Sequence, residues 1–252
     1  MILYVPPNAP AVIKDAAAVI LVAHIGGGSL GIVSGFTAFL TRKGGVVHRL
    51  AGDVFVVSML VMAAIGAVVS PFLPTPQPGN IAGGVLTLYA VGTGWATARR
   101  PDGRLGRWQS AATAVPLLAI PVLLYFAVVL WNAPGHEAVG VPFVAPIAMA
   151  LIAAVLAGSD LSVMLRGALN RAQRLSRHLW RMGLGLLMAT GSALGQPRIT
   201  HLIPHAFRTL PVLLAPIVLS LGLMIFWLVR VRVTARAPSR PVRAPVMTRA
   251  AA

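Results

Sequence analysis

The chain has 252 residues, 57% hydrophobic and only 10% charged, a balance outside the range of a soluble domain. Its formal charge of +16 arises from 21 Lys and Arg against 5 Asp and Glu; the cations sit in short gaps between apolar runs and not on one face of a folded domain, which argues against a nucleic-acid partner. With no cysteine, disulfides, iron–sulfur clusters and thiolate metal sites are excluded, and any cofactor must be held by His, Met, carboxylate or main chain.

Seven apolar stretches reach or approach the roughly 20 residues needed to cross a bilayer: Ala16–Leu40, His48–Leu73, Ile81–Ala98, Trp108–Trp131, Val141–Val163, His178–Gly195 and Leu210–Val229. They predict an all-α integral membrane protein, a bundle of seven transmembrane helices. Helices 1–4 fall in residues 12–132, helices 5–7 in 141–231, and a disordered basic tail in 232–252. Eighteen of the 21 Lys and Arg residues lie in alternate gaps or in the tail, leaving Lys14, Arg198 and Arg208 on the other side. By the positive-inside rule the N-terminus is out and the C-terminus in. Arginine outnumbers lysine heavily and Ala, Gly and Pro are abundant, which points to a GC-rich bacterial genome and so to the bacterial cytoplasmic (inner) membrane.

The first span contains "HIGGGSLGIVSG", His24 to Gly35. His24 lies about 12 Å from the outer end of its span at 1.5 Å per residue, and an ionisable ring at that depth is costly unless it faces a bundle interior or a cofactor. Gly28, Gly31 and Gly35 follow it on the same helix face. Such a groove either admits a neighbouring helix, as small-xxx-small rows do, or leaves room for a flat ring. On the second reading His24, Gly28 and Gly31 are cofactor-binding residues.

The second span opens "HRLAGDVFVVSM", placing His48, Gly52, Phe55 and Met59 on one face and Arg49 four residues before Asp53, a spacing that predicts an ion pair. Prolines follow in the fourth, fifth and seventh spans, where each removes a backbone donor. Asp160 ends the fifth span at the cytoplasmic side, and the sixth opens with His178 and Arg181. The expectation is an inner polar cluster of His48, Arg49, Asp53, Asp160, His178 and Arg181, in which charge pairing is the leading role for the two aspartates. His136, His201 and His205 fall in the outer gaps.

The pattern of His24, the small residues after it, a short basic gap and then His48-Arg49-x-x-Gly52 resembles a family of bacterial multi-pass membrane proteins called domain of unknown function 2306. The segment carrying His178, Trp180, Arg181 and Met182 is similar to a tail of bacterial relatives. The likeness covers the first four spans best, and Asp53 departs from it where that family commonly has a basic residue. What it implies is a bacterial multi-pass membrane protein.

Haem iron takes two axial imidazoles from different helices. The histidines therefore predict a haem b protein that moves electrons in the membrane: His24 with His201 or His205 at an outer site, and His48 with His178 at an inner one. His24 and His48 do not share a haem, because about 24 Å of helix rise separates His24 from the end of its span. Two alternatives stand beside this reading: a transporter or binder of a small molecule, and an accessory membrane subunit without catalysis. No hydrolase or transferase motif is present.

Overall fold

A computed structural model of the chain describes residues 8–73, 77–138, 141–195, 204–205 and 208–236. The helices are α1 (Ala11–Leu40), α2 (Val46–Val69), α3 (Pro78–Ala98), α4 (Arg107–Ala112), α5 (Ala114–Trp131), α6 (Val144–Arg166), α7 (Arg171–Leu194) and α8 (Leu210–Arg236). A two-residue hairpin, Glu137–Ala138 against Val141–Pro142, joins α5 to α6. Helix is the expected form, since hydrocarbon offers no partner to a backbone N–H or C=O.

Local signals place several of the ends. Pro78 starts α3, where its missing N–H is not needed. Asn170 and Gln173 cap α7 reciprocally, with Gln173 N donating to Asn170 Oδ1 at 2.9 Å and Asn170 N to Gln173 Oε1 at 3.0 Å. The fourth apolar stretch is broken into α4 and α5 at Thr113, as expected for a Pro116 that cannot donate to the carbonyl four residues back. At the C-terminal end α8 continues to Arg236, five residues into the stretch expected to be tail; 237–252 lie outside the described residues.

Among the described residues, six helical segments are long and apolar enough to cross a membrane. The sequence predicts seven, and the difference is α7. Arg171, Arg174, Arg177 and Arg181 fill its first three turns, leaving an apolar stretch from Met182 onward that is short for a span. Yet α7 is central to the bundle. It packs on α1, α3 and α8, and its face from Met182 to Leu186 is buried. It also runs the depth of α3: His178 meets Gly94, Gly185 faces Val91, and Met188 lies beside Thr87 and Gly83. One core joins Phe39, Phe55, Met59, Val91 and Leu186, and a second joins Leu86, Tyr89, Leu156 and Leu184. The stretches 12–132 and 141–231 therefore share their interior. More than half of the residues in the span of α3 are buried, whereas few of those in α1 and α8 are.

The glycine row of α1 is a close seam with α2. A Cβ on Gly31 would lie 2.9 Å from Met59 Sδ, and one on Gly27 would lie 3.2 Å from the Ser58 carbonyl. Gly35 is covered by Phe55 and Leu186, each 2.9 Å from the same construction. This part of the groove beside His24 is filled by helix packing, so Gly31 has a packing role in place of the cofactor contact expected for it.

Candidate functional site

Three histidines are held in the same way. Nδ1 of His24 lies 3.0 Å from the carbonyl of Met62 in α2, Nδ1 of His48 3.0 Å from that of Ala38 in α1, and Nδ1 of His178 3.1 Å from that of Gly94 in α3. A carbonyl only accepts, so each Nδ1 donates and is the protonated nitrogen. In the neutral ring Nε2 then carries a lone pair, and none of the three Nε2 atoms has a hydrogen bond among the described residues. The same anchoring orients metal-ligating histidines.

These anchors define two levels in the bundle, named inner and outer after the orientation the sequence predicts. Fourteen residues separate His24 from Ala38 on α1, His48 from Met62 on α2, and Asn80 from Gly94 on α3. Asn80 belongs to the outer level because a Cβ on Gly66 would touch both its carbonyl, at 3.9 Å, and His24 Cε1, at 3.5 Å. Fourteen residues of helix rise about 21 Å.

At the inner level a cavity of about 670 Å³ is lined by both His48 and His178. Phe39, Phe55, Met182, Leu186 and Trp227 supply apolar walls. Gly52 lies on its edge with nothing within 4 Å of where a Cβ would stand. Four cations border the cavity, Lys43, Arg49, Arg99 and Arg230, against the single carboxylate of Asp53. Asp53 pairs with Arg99 at 2.9 Å, not with Arg49, and the pair is exposed. The spacing along α2 allowed the Arg49 contact, but the end of α3 brings Arg99 to the same carboxylate.

The C-terminus of α1 borders this cavity. Lys43 Nζ donates to the carbonyls of Ala38 and Phe39 at 2.8 Å each, and Trp227 Nε1 donates to Phe39 O at 3.0 Å. Carbonyls that a helix end leaves without a partner are thus taken by side chains from the loop, from α2 and from α8. The ammonium sits 4.2 Å from the Trp227 ring centre, a cation–π contact. Burial lowers its pKa to about 8.

At the outer level a cavity of about 690 Å³ is lined by His24, Gly28, Ser29, Asn80, Met188 and Ser192, among others. No charged residue lines it among the described residues. His205 is exposed and borders neither cavity, and His201 lies outside the described residues.

Asp160 and Arg181 occupy a third place, the seam of α3, α6 and α7. Asp160 is fully buried and forms ion pairs with Arg181 Nη2 at 2.5 Å and with Arg177; the Tyr89 hydroxyl donates to its other oxygen. Guanidinium nitrogens of the pair also reach Thr97 Oγ1, Ser159 Oγ, Thr93 Oγ1 and the carbonyl of Leu156, while Arg181 Nε has no hydrogen-bond partner among the described residues. The expected inner cluster is therefore two units: His48, Arg49, Asp53 and His178 on the cavity, and Asp160 with Arg181 in this network. Sequence reasoning missed Tyr89 and Arg177 as members. Arg177 had a signal, since it lies one helical turn before Arg181 on the same face; a lone Tyr89 in α3 had none.

No protein-family model, curated protein or solved structure matches the chain.

Proposed function

We propose that this is a seven-span protein of the bacterial cytoplasmic membrane, with its N-terminus out and C-terminus in. It belongs to the family that its His24 and His48-Arg49-x-x-Gly52 pattern resembles. It holds one haem b between His48 and His178 and passes electrons to or from a membrane partner. The depth of α7 beside α3 supports the seventh crossing, and the arginine-rich gaps support the orientation. The observation that carries the cofactor reading is the inner cavity itself: two imidazoles from α2 and α7, each oriented through Nδ1 with Nε2 unengaged, facing one space.

The other residues fit the same group. Apolar walls and the open edge at Gly52 suit a flat macrocycle, and the cations at the rim suit its two carboxylates. When bound there, haem would supply one-electron exchange, with a potential set by the two imidazoles that hold it and the charge around it. Of the chain's own groups, His48 and His178 bind and orient, Arg49 and Arg230 neutralise, and Phe55 and Leu186 exclude water.

The visible spectrum of protein purified from haem-replete cells tests this. A Soret band is expected in the wild type and in His24→Ala, and its loss in His48→Ala and in His178→Ala. A folded but colourless wild type, or a band that survives removal of both inner histidines, overturns the reading.

A further inference from the structure

The outer cavity has the same size and the same kind of anchored histidine as the inner one, but a different chemistry. Its lining holds no Lys, Arg, Asp or Glu among the described residues, so a ring bearing carboxylates would enter without a counter-charge. Its polar groups are neutral: His24, Ser29, Asn80, Thr87 and Ser192. The hydroxyls of Ser29 and Ser192 make no hydrogen bond among the described residues. Acyl chains cannot satisfy such groups, and in hydrocarbon an unmet polar atom is costly.

The occupant is therefore neutral, apolar over most of its surface, and able to donate a hydrogen to Nε2 of His24. We infer that the outer cavity binds the reduced head group of a lipid-soluble quinone, with a hydroquinone hydroxyl donating to His24 Nε2. The polarity of this contact follows from the anchor. Because Nδ1 is committed as donor to the Met62 carbonyl, Nε2 of the neutral ring accepts, and the hydroquinone offers the matching hydrogen where the oxidised quinone offers only acceptors. Ile25, Ile32, Ile152 and Leu221 add apolar wall for the rest of the ring and its tail. This site stands whether or not the inner cavity holds haem.

Anaerobic calorimetric titration of a short-tailed benzohydroquinone into nanodisc-held protein, with empty nanodiscs as the reference for partitioning, tests the inference. Saturable binding is expected, about tenfold tighter than for the matching benzoquinone, as one added hydrogen bond gives. His24→Ala should remove that preference. Gly191→Leu should block both forms by filling the cavity, since nothing lies within 4 Å of the Cβ it would add; its melting temperature checks that it folds. His48→Ala should bind as the wild type does, which separates this site from the haem proposal. Binding that is absent from the wild type, a hydroquinone preference that survives in His24→Ala, or binding unchanged in Gly191→Leu overturns it.

Discussion

The two cavities are built from one set of parts and differ in charge. Each lies among α1, α2, α3 and α7, each borders a histidine anchored through Nδ1 to a neighbouring helix, and their volumes are about 670 and 690 Å³. The inner one adds a second histidine and four cations, and the outer one adds only neutral polar groups. Position across the membrane accounts for much of this. Arginine and lysine are tolerated where their ends reach a membrane interface and are expensive deeper in hydrocarbon. The same helix arrangement thus presents an anion-compatible space at one level and a neutral one about 21 Å away.

If that contrast governs what each cavity holds, His48→Ala and His178→Ala should have the largest effect, complete loss of visible absorbance with quinol binding intact. Asp160→Asn should come next, because it leaves two buried guanidinium groups without their carboxylate. Breaking such a buried pair costs about 3–5 kcal/mol, and since α7 lines both cavities, both ligands should be lost together at a lowered melting temperature. Asp53→Asn, at the exposed pair, is the control and should cost under about 1 kcal/mol.

A more local change is Gly84→Ala. Its Cβ would lie 2.7 Å from the Ala63 carbonyl, a backbone atom that cannot swing aside. Overpacking of this kind costs about 1–3 kcal/mol, and hydroquinone affinity should fall while the Soret band stays. Arg49→Gln combined with Arg230→Gln should act only at the inner level. Removing cations favours the more positive ferric state, so the midpoint potential in a redox titration should move down.

The smallest effect is the pH dependence of Lys43. Its folded pKa of about 8 lies below the ordinary value of 10.5, so between those values the unfolded chain binds more protons and stability rises with pH. Below pH 8 the penalty for the buried charge is fully present. Lys43→Met should flatten this rise in denaturation curves measured from pH 7 to 11.

Periodicity along one helix shows which residues share a face but not what meets that face. His24 could be read as an inward, deep histidine, and Gly28 does border a cavity beside it. Gly31 lies on the same stripe, and only the arrival of Met59 from α2 shows that its space is already filled. The Arg49 and Asp53 spacing was sound within α2, but the competing Arg99 comes from 46 residues away. Among the described residues six of the seven expected spans are long and apolar enough to cross, and α7 is the exception for a related reason. Of the four arginines that make α7 look too polar to cross, Arg177 and Arg181 are the ones Asp160 neutralises, and a hydropathy reading cannot credit a charge to a partner on another helix.

The fourteen-residue separation of the two levels has a consequence for how this chain can change length. It recurs on α1, α2 and α3, and on α7 it separates His178 from Ser192. Adding or deleting one residue between the levels turns everything beyond it by about 100° and shifts it about 1.5 Å. A histidine would then face lipid, or a carbonyl anchor would miss its ring. Within these four stretches relatives should show substitutions but no insertions or deletions.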